Sequence, residues 1–455
     1  MANQEKRDPS IVRRFLLTAK LELESPLLIG AGESDNLTDT LVLKNKNGNP
    51  FIPGTSLAGV LRSCNNDVET LFGDFNKSQS TVVVSDVKLK NTKTVVRDGV
   101  KISPITNVGE KGAKFDYEAV ERGATGNLQI VAHVRQYQDG NIIKEQLKKL
   151  GSLLQTGIRV GALTRRGFGK IVCEEVMLYD YDFSDVKNVQ AWLLHTFDKP
   201  IISGEPVKID ETKKLAETDF VMELSLNIKT SLLVRSDDFE ESDYKEFIKK
   251  EKDKKTPVSS VQMKSLDSFV IPGPSVRGVI KNRAVKILRA LNIYDEGKLN
   301  DLFGYASEDG QSQRGRVITE EVYFDNAENY PQSRNRIDRF TGGTVDGALM
   351  TNFPVLQKKT SDILTMKIVV EDCNETEAGL MLLVAKDICT GQVAFGGEKS
   401  IGRGVMNGVE VKVDYQGKTY GISCGGEKII VSPGNIEDLE KYVEVLCDGG
   451  LNGKD

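Results

Sequence analysis

A tight turn followed by a helix start occurs twice in the sequence, and both copies carry residue types that bind phosphate. The copies are NPFIPGTSLAGVLRS at 49–63 and SFVIPGPSVRGVIKN at 268–282. Proline and glycine together predict a sharp chain reversal. Thr55 or Ser56 in the first copy, and Ser275 in the second, are the predicted N-caps of the helix that follows. A helix start offers free N–H groups and the positive end of the helix dipole, so each copy is a candidate phosphate site.

Arginines lie beside the glycine motifs, although the chain as a whole carries a net charge of −5. The net charge argues against a nonspecific nucleic-acid binder, whereas the local arginines favour contacts to individual phosphates. For Arg165 and Arg166 in LTRRGFGK, the alternative is a solvated loop. The candidate nucleic-acid-binding residues are Gly54, Ser56, Arg62, Lys101, Arg165, Arg166, Gly167, Gly169, Gly273, Ser275, Arg277, Arg336, Arg339, Arg403 and Gly404.

Further landmarks repeat in the same order along the chain. Asp86 and the valine after it match Glu321 and its following valine at a spacing of 235 residues. The glycines of GFGK at 167–170 match those of GRGV at 402–405 at the same spacing. The spacing is 219 residues at the Pro-Gly turns, so the gaps change only between landmarks. This pattern predicts two homologous domains that differ in loop length.

The periodicity of apolar residues within each half predicts an α+β fold. In the first half a strand is followed by a helix from about 56 to 71, a strand, an irregular insertion at 91–127, a strand, a helix and a closing strand. This order is that of a ferredoxin-like (RRM-like) domain, here carrying inserted loops or thumbs. The predicted boundaries are 1–184 for the first domain, 185–218 for an amphipathic helix and linker, 219–415 for the second domain, and 416–455 for a C-terminal strand, helix and tail.

Length and composition agree with two globular domains. The chain has 455 residues, of which 39% are hydrophobic and 28% charged. It contains no apolar run long enough to span a membrane and no apolar core of a signal peptide near its first residue, so we expect a cytoplasmic protein with no membrane partner. The six cysteines are scattered singly, which disfavours zinc and disulfide frameworks.

The turn-helix and the closing GxG loop, each present twice, and the RDGVKI insertion at 97–102 resemble motifs of the RAMP superfamily. The similarity is to the backbone subunit of type III CRISPR effector complexes, here as a tandem fusion of two such units. The resemblance implies a protein that binds guide (CRISPR) RNA, places a β-hairpin thumb between the guide and a single-stranded target RNA, and contacts other effector subunits.

The same resemblance implies a catalytic residue in the loop before the first Pro-Gly turn. Catalytic members of the family use a single aspartate there to cut target RNA, and Asp39 in LTDTLVLKNKNGNPFIPG stands at the matching place. Asp35 and Glu33 are the fallback candidates. An aspartate could activate the ribose 2′-hydroxyl or hold a divalent metal ion, Mg²⁺ or Mn²⁺, near the scissile phosphate. The alternative is that Asp39 only forms a turn or a cap.

The second half departs from this pattern. The segment at 236–268 is far longer than the loop of the first half, and Lys254 and Lys255 stand where the family has its acid. We therefore expect one cleavage centre, in the first domain. The acids of the long segment are not placed by spacing; they are Asp237, Asp238 and Asp243.

The sequence favours a metal-dependent endoribonuclease that is also a guide-binding backbone subunit. One alternative is a scaffold that holds guide RNA without cutting. Another is a stand-alone protein of tandem RRM-like form, although the aromatic strand motif of RRM domains is missing. His133 and His195 are expected to be structural.

Overall fold

The computed structural model of the protein describes residues 8–34, 38–64, 68–74, 78–103, 106, 108–195, 206–209, 218–236, 239, 258–306, 310–359, 362–424 and 430–448. The chain divides into two compact units. The first unit consists of 1–96, 116–164 and 168–214, and the second of 97–115, 165–167 and 215–455. Two short segments of the first half of the chain are thus part of the second unit.

The elements of the first half begin with a long strand and alternate with four helices. The strands are β1 (Ile11–Leu23), β2 (Phe51–Ile52), β3 (Val82–Val84), β4 (Val87–Lys90), β5 (Thr94–Ile102), β6 (Gly109–Val120), β7 (Thr125–Arg135), β8 (Ile158–Arg159), β9 (Lys170–Asp182) and β10 (Val207–Lys208). The helices are α1 (Gly54–Ser63), α2 (Val68–Phe72), α3 (Gly140–Thr156) and α4 (Val186–Leu194).

The first unit is built on an antiparallel sheet with β1 near its centre. The strand order is β10-β9-β1-β7-β4-β2, and β3 and β8 pair with β7 and β9. Leu17 of β1 lies opposite Ile130 of β7 and Leu178 of β9, and all three side chains are buried. The alternation of buried and exposed residues along β1 therefore places one face of the sheet against the core.

Helix α3 covers this sheet because its apolar residues recur at helical spacing. Ile143, Leu147, Leu150 and Leu154 are buried in the same hydrophobic cluster as the central strands. The helix begins after Asp139, whose side chain accepts a hydrogen bond from the N–H of Asn141. This cap satisfies a donor that the first turn leaves without a helical partner.

The second half contains seventeen of the described strands and four of the described helices. The strands are β11 (Phe220–Ile228), β12 (Arg235–Ser236), β13 (Val258–Gln262), β14 (Lys264–Ser265), β15 (Ser268–Ile271), β16 (Tyr305–Ala306), β17 (Ser312–Gln313), β18 (Val317–Thr319), β19 (Val322–Phe324), β20 (Ala327–Asn329), β21 (Gln332–Arg334), β22 (Met350–Phe353), β23 (Val355–Gln357), β24 (Leu364–Val370), β25 (Met406–Tyr415), β26 (Lys418–Ser423) and β27 (Ile430–Val431). The helices are α5 (Gly273–Ala290), α6 (Glu296–Phe303), α7 (Glu375–Cys389) and α8 (Ile436–Cys447).

The main sheet of the second unit repeats the topology of the first. Its order is β18-β24-β11-β25-β26-β27, so β11 lies between the strands that precede and follow α7, as β1 lies between β7 and β9. Leu224 of β11 faces Met366 and Val411 on its two neighbours, and all three are buried. The expectation of two tandem ferredoxin-like domains in an α+β fold is confirmed.

Two local expectations were wrong. The insertion at 91–127, expected to be irregular, contains the two-stranded hairpin of β5 and β6. The single helix expected from 56 to 71 is divided into α1 and α2. The hairpin was missed because β5 and the first part of β6 bury few side chains. Their residues therefore do not alternate between apolar and polar as those of half-buried strands do.

The closing loops at 161–169 and 396–404 have matching backbone contacts. The N–H of Gly169 donates to the carbonyl of Pro26, and the N–H of Gly404 to that of Ser231, both at 2.7 Å. A Cβ on Gly169 would lie 1.9 Å from the carbonyl oxygen of Val160, and the same atom on Gly404 would lie 1.8 Å from that of Phe395. These glycines are therefore required by the close packing of each loop against its own domain.

We expect Gly169→Ala to destabilise the first unit by at least about 3 kcal/mol, because the new methyl overlaps a carbonyl oxygen at a positive φ. Urea unfolding of the full chain measures the change. Gly59→Ala is the matched control, since Gly59 lies in α1 with open space around it. At this position alanine should raise the free energy of unfolding by about 0.5–1 kcal/mol. An unchanged stability in the Gly169 variant would contradict the structural role.

Candidate functional site

Asp39 lies on the surface of the first unit, beside strand β6. The N–H of Asp39 donates to the carbonyl of Asp116 at 3.1 Å, and the N–H of Asp116 donates to Oδ2 of Asp39 at 2.9 Å. The next residues along each segment, Thr40 and Tyr117, pair as an isolated parallel β-bridge. The Asp39 side chain is exposed. The backbone of β6 therefore orients a carboxylate that remains accessible to a ligand.

A buried carboxylate tethers the chain that follows Asp39 to the same strand. Oε2 of Glu118 accepts the N–H of Val42 at 3.1 Å, and Oε1 accepts Nζ of Lys44 at 2.7 Å. Burial alone would raise the pKa of Glu118, but the Lys44 ammonium and the Val42 N–H outweigh it and lower that pKa. The segment from Asp39 to Lys44 is thus held at several points along β6.

The carboxylate of Asp39 fits a metal ion that takes most of its ligands from RNA and water. Mg²⁺ is commonly held by one or two carboxylates together with substrate phosphates. Within the described ranges, no group of three or more His, Cys, Asp or Glu side chains is placed to bind a metal. Glu33, a fallback candidate, is exposed, and its carbonyl accepts the N–H of Leu41 at 3.3 Å. The remaining acids named from the sequence lie outside the described residues, as do Lys254 and Lys255; those acids are Asp35, Asp237, Asp238 and Asp243.

The helices after the Pro-Gly turns are capped differently from the expectation. Helix α1 begins at Gly54 and α5 at Gly273, with a proline at each N-cap and no hydrogen bond from a capping side chain, so the expected caps were wrong. The N–H of Gly54 donates instead to Oδ1 of Asp86 at 2.8 Å. A Cβ on Gly54 would lie 2.1 Å from the carbonyl oxygen of Val84. The absence of a side chain lets the helix start this close to the neighbouring strand, where an acid rather than a hydroxyl satisfies the N–H.

The two predicted serines lie in the first turns of these helices. The N–H of Ser56 donates to the carbonyl of Pro53 at 3.0 Å, and the N–H of Ser275 donates to that of Pro272 at 2.9 Å. Both side chains are half-buried. Their backbone donors are thus already used within the turn, and a phosphate contact at either serine stays a prediction.

Arg277 is buried within the second unit, unlike Arg62. Its guanidinium donates to the carbonyl of Val317 at 2.6 Å and to that of Phe303. Burial, together with the positive charges of Arg166 and Arg165, lowers the pKa of Arg277 to about 10. Arg62 is exposed and has a weak contact, 3.4 Å, to the carbonyl of Gly73. The structure therefore gives Arg277 an internal role that spacing alone did not reveal.

The loop at 165–167 contacts Gly273 and Arg277 within the second unit. A Cβ on Gly273 would lie 2.1 Å from the carbonyl oxygen of Arg166, and Nη1 of Arg277 lies 3.4 Å from the carbonyl of Arg165. The Arg165 side chain pairs with Glu371, whereas the Arg166 side chain is exposed. Gly167 lies against the backbone of 319–321. Five predicted site residues thus meet here: Arg165, Arg166, Gly167, Gly273 and Arg277.

Arg403 belongs to a cluster of arginines around one acid in the second closing loop. Nε of Arg403 lies 2.7 Å from Oε2 of Glu398, and Arg334 pairs with the same carboxylate. Arg235 approaches it to 3.5 Å. Burial would raise the pKa of Glu398, but the three arginines lower it. Since Arg403 is 2% exposed, its contribution in the folded protein is to this internal cluster.

Exposed cations lie on two segments that also expose apolar side chains. Lys101 is 70% exposed on the β5–β6 hairpin and pairs with Glu110 at 2.7 Å. Arg336 and Arg339 are exposed between β21 and β22, where Phe340 is 98% exposed. The first segment further exposes Val96, Val100, Ile102 and Val108, and the second Ile337, Leu349 and Met350.

Sequence reasoning missed Phe340. Oδ1 of Asp338 accepts the N–H groups of Phe340 and Thr341 at 2.9 and 2.8 Å, which holds the aromatic residue at the turn. The available signal was the dipeptide RF before two glycines in DRFTGG. A large aromatic residue beside arginine in a glycine-rich turn has no core to fill, so exposure could have been expected.

The sequence matches the family model of the RAMP superfamily in two segments, at residues 20–172 and 225–407. The chain belongs to the RAMP superfamily. Membership of this superfamily indicates a CRISPR-associated RNA-binding subunit, and RAMP proteins typically bind RNA and other subunits of a complex. The two matched segments cover most of the two ferredoxin-like domains of the RAMP protein described above. A search of curated proteins finds no significant match. No helix in the described part of the chain is long and apolar enough to cross a membrane.

We expect Arg277→Met to lower the free energy of unfolding by about 1–3 kcal/mol for each buried carbonyl that loses its donor. Thermal and urea unfolding of the full chain measure the loss. Arg62→Met is the matched control, because an exposed arginine with one weak contact should change stability by no more than about 0.5 kcal/mol. Equal stabilities of the two variants would mean that the internal bonds of Arg277 contribute nothing.

Proposed function

We propose that this RAMP protein is a backbone subunit of a type III CRISPR effector and that it cuts target RNA at Asp39. In this proposal it binds guide RNA, pairs the guide with a complementary single-stranded target, and works in the cytoplasm with other effector subunits. The single observation that carries the catalytic part is the exposed Asp39 carboxylate, oriented by the backbone of β6 next to the hairpin. Membership of the RAMP superfamily supports the RNA-binding part.

The chemistry proposed for Asp39 is general-base catalysis. The carboxylate accepts the proton of a ribose 2′-hydroxyl, and the 2′-oxygen forms a bond to the adjacent phosphorus. The bond from phosphorus to the 5′-oxygen breaks, and that oxygen takes a proton from water. The products are a 2′,3′-cyclic phosphate and a 5′-hydroxyl. The hydrogen bond from the Asp116 N–H fixes the carboxylate before the substrate arrives, which reduces the cost of orienting it.

A divalent ion, Mg²⁺ or Mn²⁺, would be held at Asp39 together with phosphate oxygens of the bound RNA. Such an ion supplies positive charge where negative charge develops on the scissile phosphate. Asp39 is suited to this role because its carboxylate is exposed and anchored. Oδ2 already accepts one backbone N–H and still has a lone pair, so the same carboxylate can bind the ion without losing its anchor.

The proposed RNA contacts lie on the two exposed segments. Lys101 on the first, and Arg336 and Arg339 on the second, are exposed cations that can neutralise phosphates. The apolar side chains beside them, of which Phe340 is the most exposed, offer surfaces on which bases can stack. Sequence would be read by base pairing between guide and target, while the protein binds backbone and shape.

A guide-holding scaffold that does not cut is the second candidate function. The observation that favours it is the same hydrogen bond between the Asp116 N–H and Asp39, because aspartates that accept a neighbouring N–H are common turn formers. The two functions differ in what the charge of Asp39 does, so they can be separated by changing the charge while keeping the hydrogen bond.

We expect Asp39→Asn to abolish one cleavage product, with a rate loss of about 10²-fold or more, since the amide oxygen keeps the bond to Asp116 but cannot take the proton. The assay uses the assembled complex with guide RNA and end-labelled complementary RNA, with and without Mg²⁺ or Mn²⁺. Binding of target should be unchanged.

Three comparisons make this test specific. Asp39→Ala removes both the charge and the hydrogen bond, so its cleavage should be no better than that of Asp39→Asn. Glu33→Ala should cleave as the wild type does. A complex in which Asp39→Asn cuts normally while Asp39→Ala does not would identify the residue as a turn former. Identical cleavage by all variants would favour the scaffold.

We expect Arg336→Ala/Arg339→Ala to weaken RNA binding and to reduce the slope of log Kd against log salt concentration by about 1.4. This change corresponds to two phosphate contacts on single-stranded RNA. Lys412→Ala, on the exposed face of β25, is the control, because Lys412 is also exposed but lies outside the two segments. If the slope of log Kd against log salt concentration does not change in the double variant, these arginines do not contact RNA phosphates.

A further inference from the structure

A fully buried ion pair fixes the base of the β5–β6 hairpin within the second unit. Nη1 of Arg97 lies 2.6 Å from Oε1 of Glu321, and the two side chains are 1% and 0% exposed. The hydroxyl of Tyr323 donates to the other carboxylate oxygen, Oε2, at 2.6 Å. Both oxygens of Glu321 are therefore engaged, one by a cation and one by a neutral donor.

Burial of such a pair needs a positional explanation, because removing two charges from water costs about as much as their attraction returns. In proteins generally, replacing a buried ion pair by two well-packed apolar residues is often neutral or stabilising. An ion pair adds geometric specificity, because a carboxylate and a guanidinium bind each other only in defined orientations. The pair therefore specifies where β5 lies on the second unit.

The two halves of the internal repeat use the position of Glu321 differently. Glu321 stands at the place that Asp86 occupies in the first half, at the spacing of 235 residues. Asp86 serves its own domain, because its side chain accepts the N–H of Gly54 at the start of α1. Glu321 instead binds Arg97, a residue from the first half of the chain. The acid at this position of the repeat therefore binds the start of α1 in the first half, whereas in the second half it binds the β5–β6 hairpin.

The hairpin connects Arg97 to the strand that orients Asp39. Oδ2 of Asp98 lies 3.3 Å from Nζ of Lys114 across the two strands, and a Cβ on Gly99 would lie within 2.7 Å of the Phe115 ring. These contacts tie β5 to β6 at Lys114 and Phe115, the two residues that precede Asp116 in the chain. Strand β6 runs without a break from Gly109 to Val120, so the backbone groups that bind Asp39 continue the hairpin strand.

We propose that Arg97 is a positioning residue for Asp39, acting through Glu321 and strand β6; the inference rests on the proposed role of Asp39 in cleavage. With the ion pair in place, the base of the hairpin is held and β6 presents the N–H and the carbonyl of Asp116 to Asp39. Without the guanidinium, the carboxylate of Glu321 stays buried with the neutral Tyr323 hydroxyl as its donor, and β5 loses a charged contact to the second unit. The Asp39 carboxylate then loses its fixed orientation although no group near it has changed.

The test replaces each partner in the full chain and follows two readouts. The variants are Arg97→Met, Glu321→Gln, the double variant and Arg97→Lys. Hydrogen exchange of the amides of Asp39 and Thr40, both bonded to the Asp116 carbonyl, should accelerate at least tenfold in Arg97→Met. In the assembled complex, kcat at saturating target RNA should fall at least tenfold, while KM changes less than threefold.

The remaining variants separate positioning from general loss of stability. The double variant should lose no more kcat, and no more exchange protection at Asp39, than the single variants, since both changes break the same ion pair. Arg97→Lys keeps the charge and should recover part of the protection at Asp39. If Arg97→Met does not fold, Glu321→Gln carries the test, because the amide preserves the shape and an acceptor for Tyr323.

The matched control is Arg283→Met, which breaks the 2.7 Å ion pair with Asp387 that links α5 to α7 in the second unit. It should leave exchange at Asp39 and kcat unchanged. Exchange at Asp39 that is unchanged in both Arg97→Met and Glu321→Gln would overturn the inference. Cleavage by those variants at the wild-type rate would overturn it too and would leave the proposed function in place. A wild-type complex that does not cut RNA removes the proposed function, and the exchange result then decides only whether Arg97 orders this loop.

Discussion

The close approach of glycine backbone to neighbouring carbonyl oxygens is the constraint on which both domains depend. At Gly169 and Gly404 the closing loop packs so tightly against its own domain that a methyl group would lie within 1.9 Å of an oxygen. The same holds for Gly54 and Gly273 at the starts of the turn helices, where the distance is 2.1 Å. These contacts fix where each loop leaves the sheet, and thereby where the arginines beside it lie. The glycines recur in both halves because this packing leaves no room for a side chain.

The same framework is used differently in the two halves. In the first closing loop Leu163 and Phe168 occupy the places that Glu398 and Arg403 take in the second, and Leu163 and Glu398 share a positive φ of 56° and 57°. An apolar pair in one domain is thus an ion pair in the other. A duplicated backbone keeps its shape because its glycines and hydrogen bonds are kept, while side chains that project from it are free to diverge. The two halves therefore need not bind RNA in the same way.

Several arginines that sequence reasoning assigned to RNA are used inside the protein. Arg277 and Arg403 are buried and bind carbonyls or a carboxylate, and Arg165 pairs with Glu371. Arg62, Arg166, Arg336 and Arg339 remain exposed. Spacing could not separate these groups, because an arginine beside a glycine turn has the same local pattern whether its side chain faces solvent or the interior. The exposed residues, with Phe340, are the ones that can meet a phosphate or a base without rearrangement.

The resemblance to the RAMP superfamily pointed to the loop that carries Asp39. The sequence by itself determined the duplication and the ferredoxin-like order of strands and helices, because these follow from local periodicity and from motifs that occur twice. It did not determine the hairpin of β5 and β6, the capping of α1 by Asp86, or the burial of Arg97 against Glu321. Each of these depends on residues between 32 and 224 positions apart or on strands that bury few side chains. Contacts at that separation leave no periodic trace in a single sequence, so only the tertiary structure could decide them.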